Sequence, residues 1–297
     1  TGQSGLWHPL LGCHARGGDV PGDVPGDVPG DVPNVPKAET LVTVCRDTGA
    51  HDLDFSHAKM QGFGVHFCAG MLYQEKLKKL ALKSSSIGDD GVKSLADALN
   101  QTQVLKKLIL ESNEISDTGA GFLAEALCRK CSLQVLDLHN NPIRSEGAKK
   151  LVKAVAENFS LKELFVSKYE VEKAQDLVNV CRRGQDQLNL SDAEMTPFSV
   201  HFLAALLQQN DRLKTLKLAK NKISNDDAHF LSNELRDAVR KQNSQLQQLF
   251  VAEYKEEKKA EALVQVCRKN AQQTELNLSD ARDIGNFGIH FLAAMLE

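Results

Sequence analysis

The sequence lacks the short motifs that mark common enzyme chemistries. It contains no phosphate-binding G-x-x-x-x-G-K-[ST], no zinc-protease H-E-x-x-H and no G-x-S-x-G around a nucleophilic serine. Paired aspartates occur in "IGDDG" and "SNDDAHF", but they lie at predicted strand-to-helix turns, where aspartate favours a helix N-terminus. We therefore predict no enzyme activity, no cofactor and no metal site.

A charge excess and a long apolar run are also missing. The formal net charge of −3 gives no basic footprint for nucleic acid and no basic face for a membrane surface. Apolar runs such as "FLAALL" at 202–207 are far shorter than the roughly 20 residues of a membrane-spanning helix. We predict a partner that is neither nucleic acid nor membrane.

The seven cysteines lack a paired spacing framework, and their number is odd. This favours a reducing compartment, so we predict a cytoplasmic location. The "CRKC" segment at 128–131 has basic neighbours that lower a thiol pKa, but one C-x-x-C without a second pair is a weak zinc or redox signal.

A low-complexity tract precedes the rest of the chain. Residues 18–36 read "GDVPGDVPGDVPGDVPNVP", a four-residue period with almost nothing to bury. We predict a disordered tail over 1–36 and a repeat domain over 37–297. Since the chain has no initiating methionine and stops at "AAMLE" inside a repeat helix, we expect a fragment of a longer protein.

From residue 37 onward, a leucine pattern alternates with a helical pattern. It is visible in "LKKLILESNEI", "LQVLDLHNNPI" and "LKTLKLAKNKI". Aligned on the residue that opens each L-x-L core, nine units begin at 53, 80, 108, 136, 164, 188, 216, 249 and 276. Each L-x-L predicts a short strand, and the amphipathic stretch that follows predicts a helix.

One such unit cannot bury both its strand and its helix, so neighbouring units must stack and share a core. We predict an α/β solenoid of about nine strand–helix repeats, a horseshoe with a parallel sheet on its concave side and helices on its convex side. Asn113, Asn141 and Asn221 recur at the turn that leaves the strand, where an amide would bond otherwise unpaired backbone.

The pattern L-x-x-L-x-L-x-x-N resembles the leucine-rich repeat. The 28-residue length and the "GAxxLAxAL"-type helices are similar to the ribonuclease-inhibitor-like subfamily, which includes the repeat domains of NOD-like receptors and the Ran GTPase-activating proteins. The resemblance implies an interaction domain, since this fold usually binds partners on its concave face.

Three units depart from the pattern in the same way. Those at 53, 188 and 276 have a shortened strand segment, and each follows a helix that reads "KAETLVTVCR", "KAQDLVNVCR" or "KAEALVQVCR". This indicates duplication of a module larger than one repeat.

Comparison of equivalent helix positions in the different repeats argues against the histidines as functional sites. His66, His201 and His229 fall in a helix slot that other repeats fill with Lys93 or Lys149, which predicts a solvent-side position. Most cysteines occupy slots that other repeats fill with Leu or Val, which predicts core packing for Cys45, Cys68, Cys181 and Cys267.

The residues that flank each L-x-L core are the candidate binding residues. Ile109, Val135 and Phe165 lie on neighbouring predicted strands and would form an exposed apolar patch. The alternative is that they only favour strand formation. The predicted partner-binding set adds a charged rim and two residues further along the chain: Lys107, Glu111, Asp137, His139, Glu163, Lys217 and Phe250.

Two functions are compatible with these observations. The first is a non-catalytic, monomeric scaffold that binds a protein on its concave face, as the sensor or regulatory part of a larger signalling protein. The alternative, implied by the resemblance, is a GTPase-activating protein for a small Ran-like GTPase. Such a protein stabilises the catalytic machinery of the GTPase and needs no active site of its own.

Overall fold

The structure is a computed structural model, and it describes residues 51–60, 63–72, 76–129, 131–241, 245–253, 257–267, 281–282 and 284–296. The predicted tail over 1–36, the predicted helix "KAETLVTVCR" and the predicted strand of the unit at 276 lie outside these residues.

Short strands and longer helices alternate along the described chain. The strands are β1 (Asp52–Asp54), β2 (Lys79–Ala81), β3 (Lys107–Ile109), β4 (Val135–Asp137), β5 (Glu163–Phe165), β6 (Gln187–Asn189), β7 (Thr215–Lys217) and β8 (Gln248–Phe250). The helices are α1 (Phe63–Leu72), α2 (Gly88–Leu99), α3 (Asp117–Cys128), α4 (Ser145–Glu157), α5 (Val171–Cys181), α6 (Pro197–Gln209), α7 (Asn225–Lys241), α8 (Glu257–Cys267) and α9 (Gly285–Leu296).

The repeat period aligns the strands in parallel. The central leucines pair in register, for example Leu80 with Leu108 and Leu108 with Leu136, and each is completely buried. Because side chains alternate along a strand, the two residues that flank each leucine point to the opposite face. The repeat spacing therefore sets which residues share a row across the sheet.

The strands form two sheets, which differs from the single sheet expected from the sequence. The first sheet has the order β1–β5 and the second has the order β6–β8. The interruption falls at the shortest step between units, from Leu164 to Leu188.

The interruption has a structural cause in α5. This helix packs against β5 and β6, and α6 packs directly on α4, two helices earlier in the chain. The same arrangement recurs later, where α8 packs against β8 and α9 packs on α7. Helices α5 and α8 contain the duplicated "KAQDLVNVC" and "KAEALVQVC" segments. The larger module is therefore a repeat group that ends with a helix outside the main helix layer.

The recurring asparagines bond backbone groups as predicted. The Nδ2 atom of Asn113 donates to the carbonyl of Leu82 at 2.7 Å, and that of Asn221 donates to the carbonyl of Leu190 at 2.6 Å. Both side chains are buried, and both bonds link one repeat to the preceding one.

Aspartates in the first turn of one helix bind the start of the next helix. The Oδ1 atom of Asp89 in α2 accepts the backbone N–H of Ser116 at 2.8 Å and that of Gly119 at 3.0 Å. A carboxylate at this position satisfies N–H groups that have no partner within the helix. The "IGDDG" segment therefore has a structural role.

Of the histidines in the shared helix position, His201 is more buried than predicted. His201 is half-buried: its Nδ1 lies 3.1 Å from Oγ of Ser145, and its ring lies edge-on to Phe230 with centroids 4.5 Å apart. His66 is exposed, as predicted, and its Nδ1 lies 2.9 Å from Oγ of Ser94. Both histidines therefore bridge helices.

The cysteine predictions are confirmed where the structure describes them. Cys68, Cys181 and Cys267 are buried. Within "CRKC", Cys131 is buried and Cys128 is exposed. Although Cys128 is exposed, partial desolvation and the nearby carboxylate of Glu157 raise the pKa of its thiol, so the basic neighbours do not activate it. Within the described residues, no helix is long and apolar enough to cross a membrane.

Candidate functional site

The strand face is the surface formed by the side chains that flank the buried leucines of β2–β5, together with those that follow the next buried apolar residue after each strand, such as Leu110 and Leu138. On β3, β4 and β5 these side chains are half-buried, whereas the leucines between them are completely buried. The face contains eight of the ten predicted binding residues: Lys107, Ile109, Glu111, Val135, Asp137, His139, Glu163 and Phe165.

Two features of the structure bear on the predicted apolar patch. First, Ile109, Val135 and Phe165 are half-buried rather than exposed. Second, Asp137 pairs with Ile109 on one side and Phe165 on the other, so a carboxylate separates the two apolar residues in their row.

Val135 lies in the adjacent row of the strand face, where its register partners are Lys107 and Glu163. Apolar and charged side chains therefore alternate across this face.

Phe165 is held by an aromatic contact at the end of the first sheet. Its ring stacks on Tyr169 with centroids 5.8 Å apart and an interplanar angle of 26°. Stacking of this kind restricts the ring, which makes Phe165 a preorganised apolar contact on the strand face.

The structure places the last two predicted residues in the second sheet. Lys217 on β7 pairs in register with Phe250 on β8, and Nζ of Lys217 lies 5.3 Å from the centroid of the Phe250 ring. Lys217 is exposed and Phe250 is half-buried. They form a cation–π pair on β7 and β8, which share no strand pairing with the first sheet among the described residues.

Four charged side chains on the strand face contact one another in succession and form what we call the charge chain: Lys83, Glu111, His139 and Asp137. Nζ of Lys83 lies 2.9 Å from Oε1 of Glu111, and Nε2 of His139 lies 2.9 Å from the same oxygen. Nδ1 of His139 lies 2.7 Å from Oδ1 of Asp137. The Glu111, His139 and Asp137 side chains are each about 15% exposed, so solvent screens their interactions only partly.

The electrostatics of this charge chain favour a positive charge on His139. Desolvation lowers the pKa of His139, but the hydrogen bond and the charge of Asp137, together with the charge of Glu111, outweigh it. The net effect raises the pKa of His139 above its usual value. The imidazole between two carboxylates is therefore a site where positive charge is stabilised.

The sequence analysis assigned Glu111, Asp137 and His139 to a rim and did not predict that they contact one another. The signal was present, because Lys83, Glu111 and His139 follow one another at intervals of 28 residues and so occupy one slot on successive strands. Asp137 is two residues before His139 and thus shares its face.

The same three residues qualify the prediction that no metal site exists. One donor atom each from Glu111, Asp137 and His139 lie within 4.8 Å of one another. Two carboxylates and an imidazole are ligands that suit divalent metal ions.

The sequence analysis also missed an exposed aromatic residue away from the strand face. Phe159, in the connection between α4 and β5, is 89% exposed. It lies next to Asn158, whose backbone carbonyl accepts a hydrogen bond from Nη2 of Arg182. We assign no site to it.

Comparison with known proteins identifies the repeat type. A family model described as "Leucine Rich repeat" matches residues 73–96, 102–124 and 129–152. No curated protein matches the chain.

Solved structures to which the chain is similar include "Leiomodin-1 Actin-Binding Site 2 (ABS2)", at 20% identity over 52% of this chain and 90% of that chain, with a TM-score of 0.43. The tropomodulin C-terminal domain of Caenorhabditis elegans is similar at 18% identity over 49% of this chain and 91% of that chain, with a TM-score of 0.41. The three matched segments and the alternating parallel strands and helices together show that the chain contains leucine-rich repeats.

Proposed function

We propose that this chain is a non-catalytic scaffold and that its strand face binds a protein partner. The observation that carries the proposal is the row Ile109–Asp137–Phe165, in which a charged residue lies between two half-buried apolar residues. In the repeats that this sequence resembles, the same face is the concave one.

The two kinds of side chain have different roles in this proposal. Ile109 and Phe165 supply apolar area, and Phe165 is already restricted by its stacking on Tyr169. Asp137 and its neighbours supply fixed charge, which orients a partner more than it adds affinity. A matching partner presents apolar side chains on both sides of a polar or charged group.

Site-specific photocrosslinking tests the location of the binding surface. A photoreactive phenylalanine analogue is placed at position 109 or 165 and, as a control, at the exposed Lys93 of α2. We expect one defined protein adduct from positions 109 and 165 and none from position 93. Identical adducts from all three positions would show that the strand face is not selective.

Alanine substitution then tests the energetic contribution. The double variant Ile109→Ala/Phe165→Ala is compared with Phe159→Ala, which removes an equally large aromatic side chain that is 89% exposed in another part of the molecule. We expect the double variant to weaken binding of the crosslinked partner by at least tenfold, because hot-spot truncations cost about 2 kcal/mol or more. Phe159→Ala should bind as the parent does.

The ribonuclease-inhibitor-like subfamily, the cytoplasmic location, the monomeric state and a role within a larger signalling protein stay predictions. The GTPase-activating alternative to the scaffold function also stays a prediction. Single-turnover GTP hydrolysis with a panel of small GTPases separates the two functions. Acceleration would assign the alternative, whereas a scaffold leaves the rates unchanged.

A further inference from the structure

In its neutral form, the imidazole of His139 leaves one pair of atoms in conflict. When Nδ1 of His139 carries a proton and donates it to Asp137 at 2.7 Å, Nε2 of the neutral imidazole has only a lone pair. That lone pair faces Oε1 of Glu111, also an acceptor, at 2.9 Å. Two acceptors at this separation need a positive charge between them, which either a proton or a metal ion supplies.

We propose that Nε2 of His139 and the carboxylate of Glu111 bind a zinc ion, with Asp137 as the residue that orients the imidazole. An aspartate that accepts Nδ1–H of a zinc-binding histidine fixes the tautomer and makes the other nitrogen a better ligand. One imidazole and one carboxylate are ordinary zinc ligands, and the partial exposure of the site leaves room for water in the remaining positions.

The geometry needs only a small adjustment. Zinc bonds of roughly 2.0–2.2 Å in tetrahedral geometry place two ligand atoms roughly 3.4 Å apart. Glu111 and His139 are at 2.9 Å, so the carboxylate would move outward by about half an ångström. The cluster as a whole also favours a cation, because one donor atom each from Glu111, Asp137 and His139 lie within 4.8 Å of one another.

Lys83 is the competitor at this site. Its ammonium lies 2.9 Å from the same Glu111 oxygen that would bind zinc. The Lys83 side chain is 42% exposed, so the ammonium can move into solvent at little cost. Removal of Lys83 should therefore strengthen zinc binding, whereas it would weaken a cluster held together by ion pairs alone.

The test compares zinc binding by the full chain and a set of variants. All carry Cys128→Ser, because Cys128 is an exposed thiol and thiolates bind zinc. Zinc is titrated in competition with a chromophoric chelator. His139→Ala and Glu111→Gln remove the proposed ligands, Asp137→Asn removes the charge of the orienting residue, and Lys83→Met removes the competitor. Glu163→Gln is the matched control, since Glu163 is another half-buried carboxylate on the strand face, outside the charge chain.

We expect His139→Ala and Glu111→Gln each to lose one bound zinc ion, or to weaken its binding by at least about tenfold, and Asp137→Asn to weaken it by less. Lys83→Met should bind zinc several-fold more tightly than the parent, and Glu163→Gln should bind it equally well. Equal binding by the parent, His139→Ala and Glu111→Gln would overturn the proposal.

A second readout identifies the ligand directly. In protein labelled with ¹⁵N-histidine, zinc should shift one Nε2 resonance that is absent from His139→Ala. A His139 resonance that stays unmoved at saturating zinc would also overturn the proposal.

Thermal melting of the zinc-free variants checks the fold. If His139→Ala is unfolded, Glu111→Gln and Lys83→Met decide the outcome. The measurements need no protein partner, so their failure leaves the proposed scaffold function standing.

Discussion

The side-chain oxygen of Asn141 accepts the backbone N–H of Asn113 at 2.9 Å, one repeat earlier in the chain. The same oxygen accepts the N–H of Ile115 at 3.1 Å. The Nδ2 atom of Asn141 donates to the carbonyl of Leu110 at 2.9 Å and to that of Leu138 at 2.8 Å. A single buried amide thus satisfies backbone groups of two adjacent repeats.

Replacement of this amide should destabilise the fold strongly. Asn141→Ala leaves several buried donors and acceptors without partners, and each such group costs about 1–3 kcal/mol. We expect the free energy of unfolding to fall by about 3 kcal/mol or more, measured from the midpoint and slope of urea denaturation.

The neighbouring asparagine supplies the control. Asn140 is exposed, and its Nδ2 donates to Oγ of Ser112 at 2.8 Å. Its φ of 57° is in the left-handed region that glycine adopts without strain, so Asn140→Gly isolates the loss of a surface side chain. A change of about 0.5 kcal/mol or less is expected. Equal costs at both positions would contradict the role assigned to Asn141.

A second prediction concerns Tyr169, which occupies the asparagine slot at the end of the first sheet. Its hydroxyl donates to the carbonyl of Leu164 at 2.7 Å and accepts the N–H of Val166 at 3.2 Å. One repeat earlier, the equivalent N–H of Leu138 donates to Phe165 on the next strand. The hydroxyl therefore accepts the N–H that a carbonyl of a further strand would otherwise accept.

Tyr169→Phe removes the hydroxyl but keeps the ring that stacks on Phe165. We expect a loss of about 1–3 kcal/mol in the free energy of unfolding, because Leu164 and Val166 lose their partner. Far-UV circular dichroism of the folded variant should stay unchanged, because the helices and strands are kept. A variant as stable as the parent would show that the end of β5 is satisfied by other groups.

The repeat pattern predicted much of this fold, because the spacing of the central leucines sets both the strands and their register. It did not predict the interruption after β5. The short step to Leu188 and the tyrosine in the asparagine slot were visible, but which helices pack together depends on contacts between distant residues. Ser145 and His201, 56 residues apart, meet only because α5 lies outside the main helix layer.

The candidate site shows the same division. Sequence placed Glu111, Asp137 and His139 on one face, because alternation along a strand is sufficient for that. It did not predict the 2.9 Å contact between Glu111 and His139, since long side chains adopt one of several rotamers according to the charges around them. Lys83, which also contacts Glu111, was therefore left out of the predicted set.

The third prediction is a pH dependence that arises at His201. Desolvation lowers the pKa of this half-buried imidazole in the folded state. The unfolded state, with a histidine pKa of about 6.5, therefore binds more protons in this range, and stability rises with pH. Protonation of His201 should destabilise the fold as the pH falls below about 6.5, and its effect should be absent above about pH 7.5.

Comparison with His201→Gln isolates this contribution, because the two proteins share every other titratable group. Urea denaturation at several pH values between about 5 and 8 should show a smaller loss of stability at acidic pH in the variant. Parallel curves for the two proteins would contradict the assignment.

The last prediction rests on the close contact between α3 and α4. A Cβ on Gly147 would lie 2.8 Å from Cα of Asp117 and 2.9 Å from Cβ of Ala120, so neither neighbour can yield without a backbone shift. Gly147→Ala should therefore cost about 1–3 kcal/mol, as overpacked sites do. In contrast, a Cβ on the exposed Gly70 of α1 meets nothing within 4 Å, and Gly70→Ala should stabilise the protein by about 0.5–1 kcal/mol through helix propensity. Opposite shifts of the melting temperature are expected for the same chemical change; shifts of the same sign would mean that the contact between α3 and α4 is looser than these distances indicate.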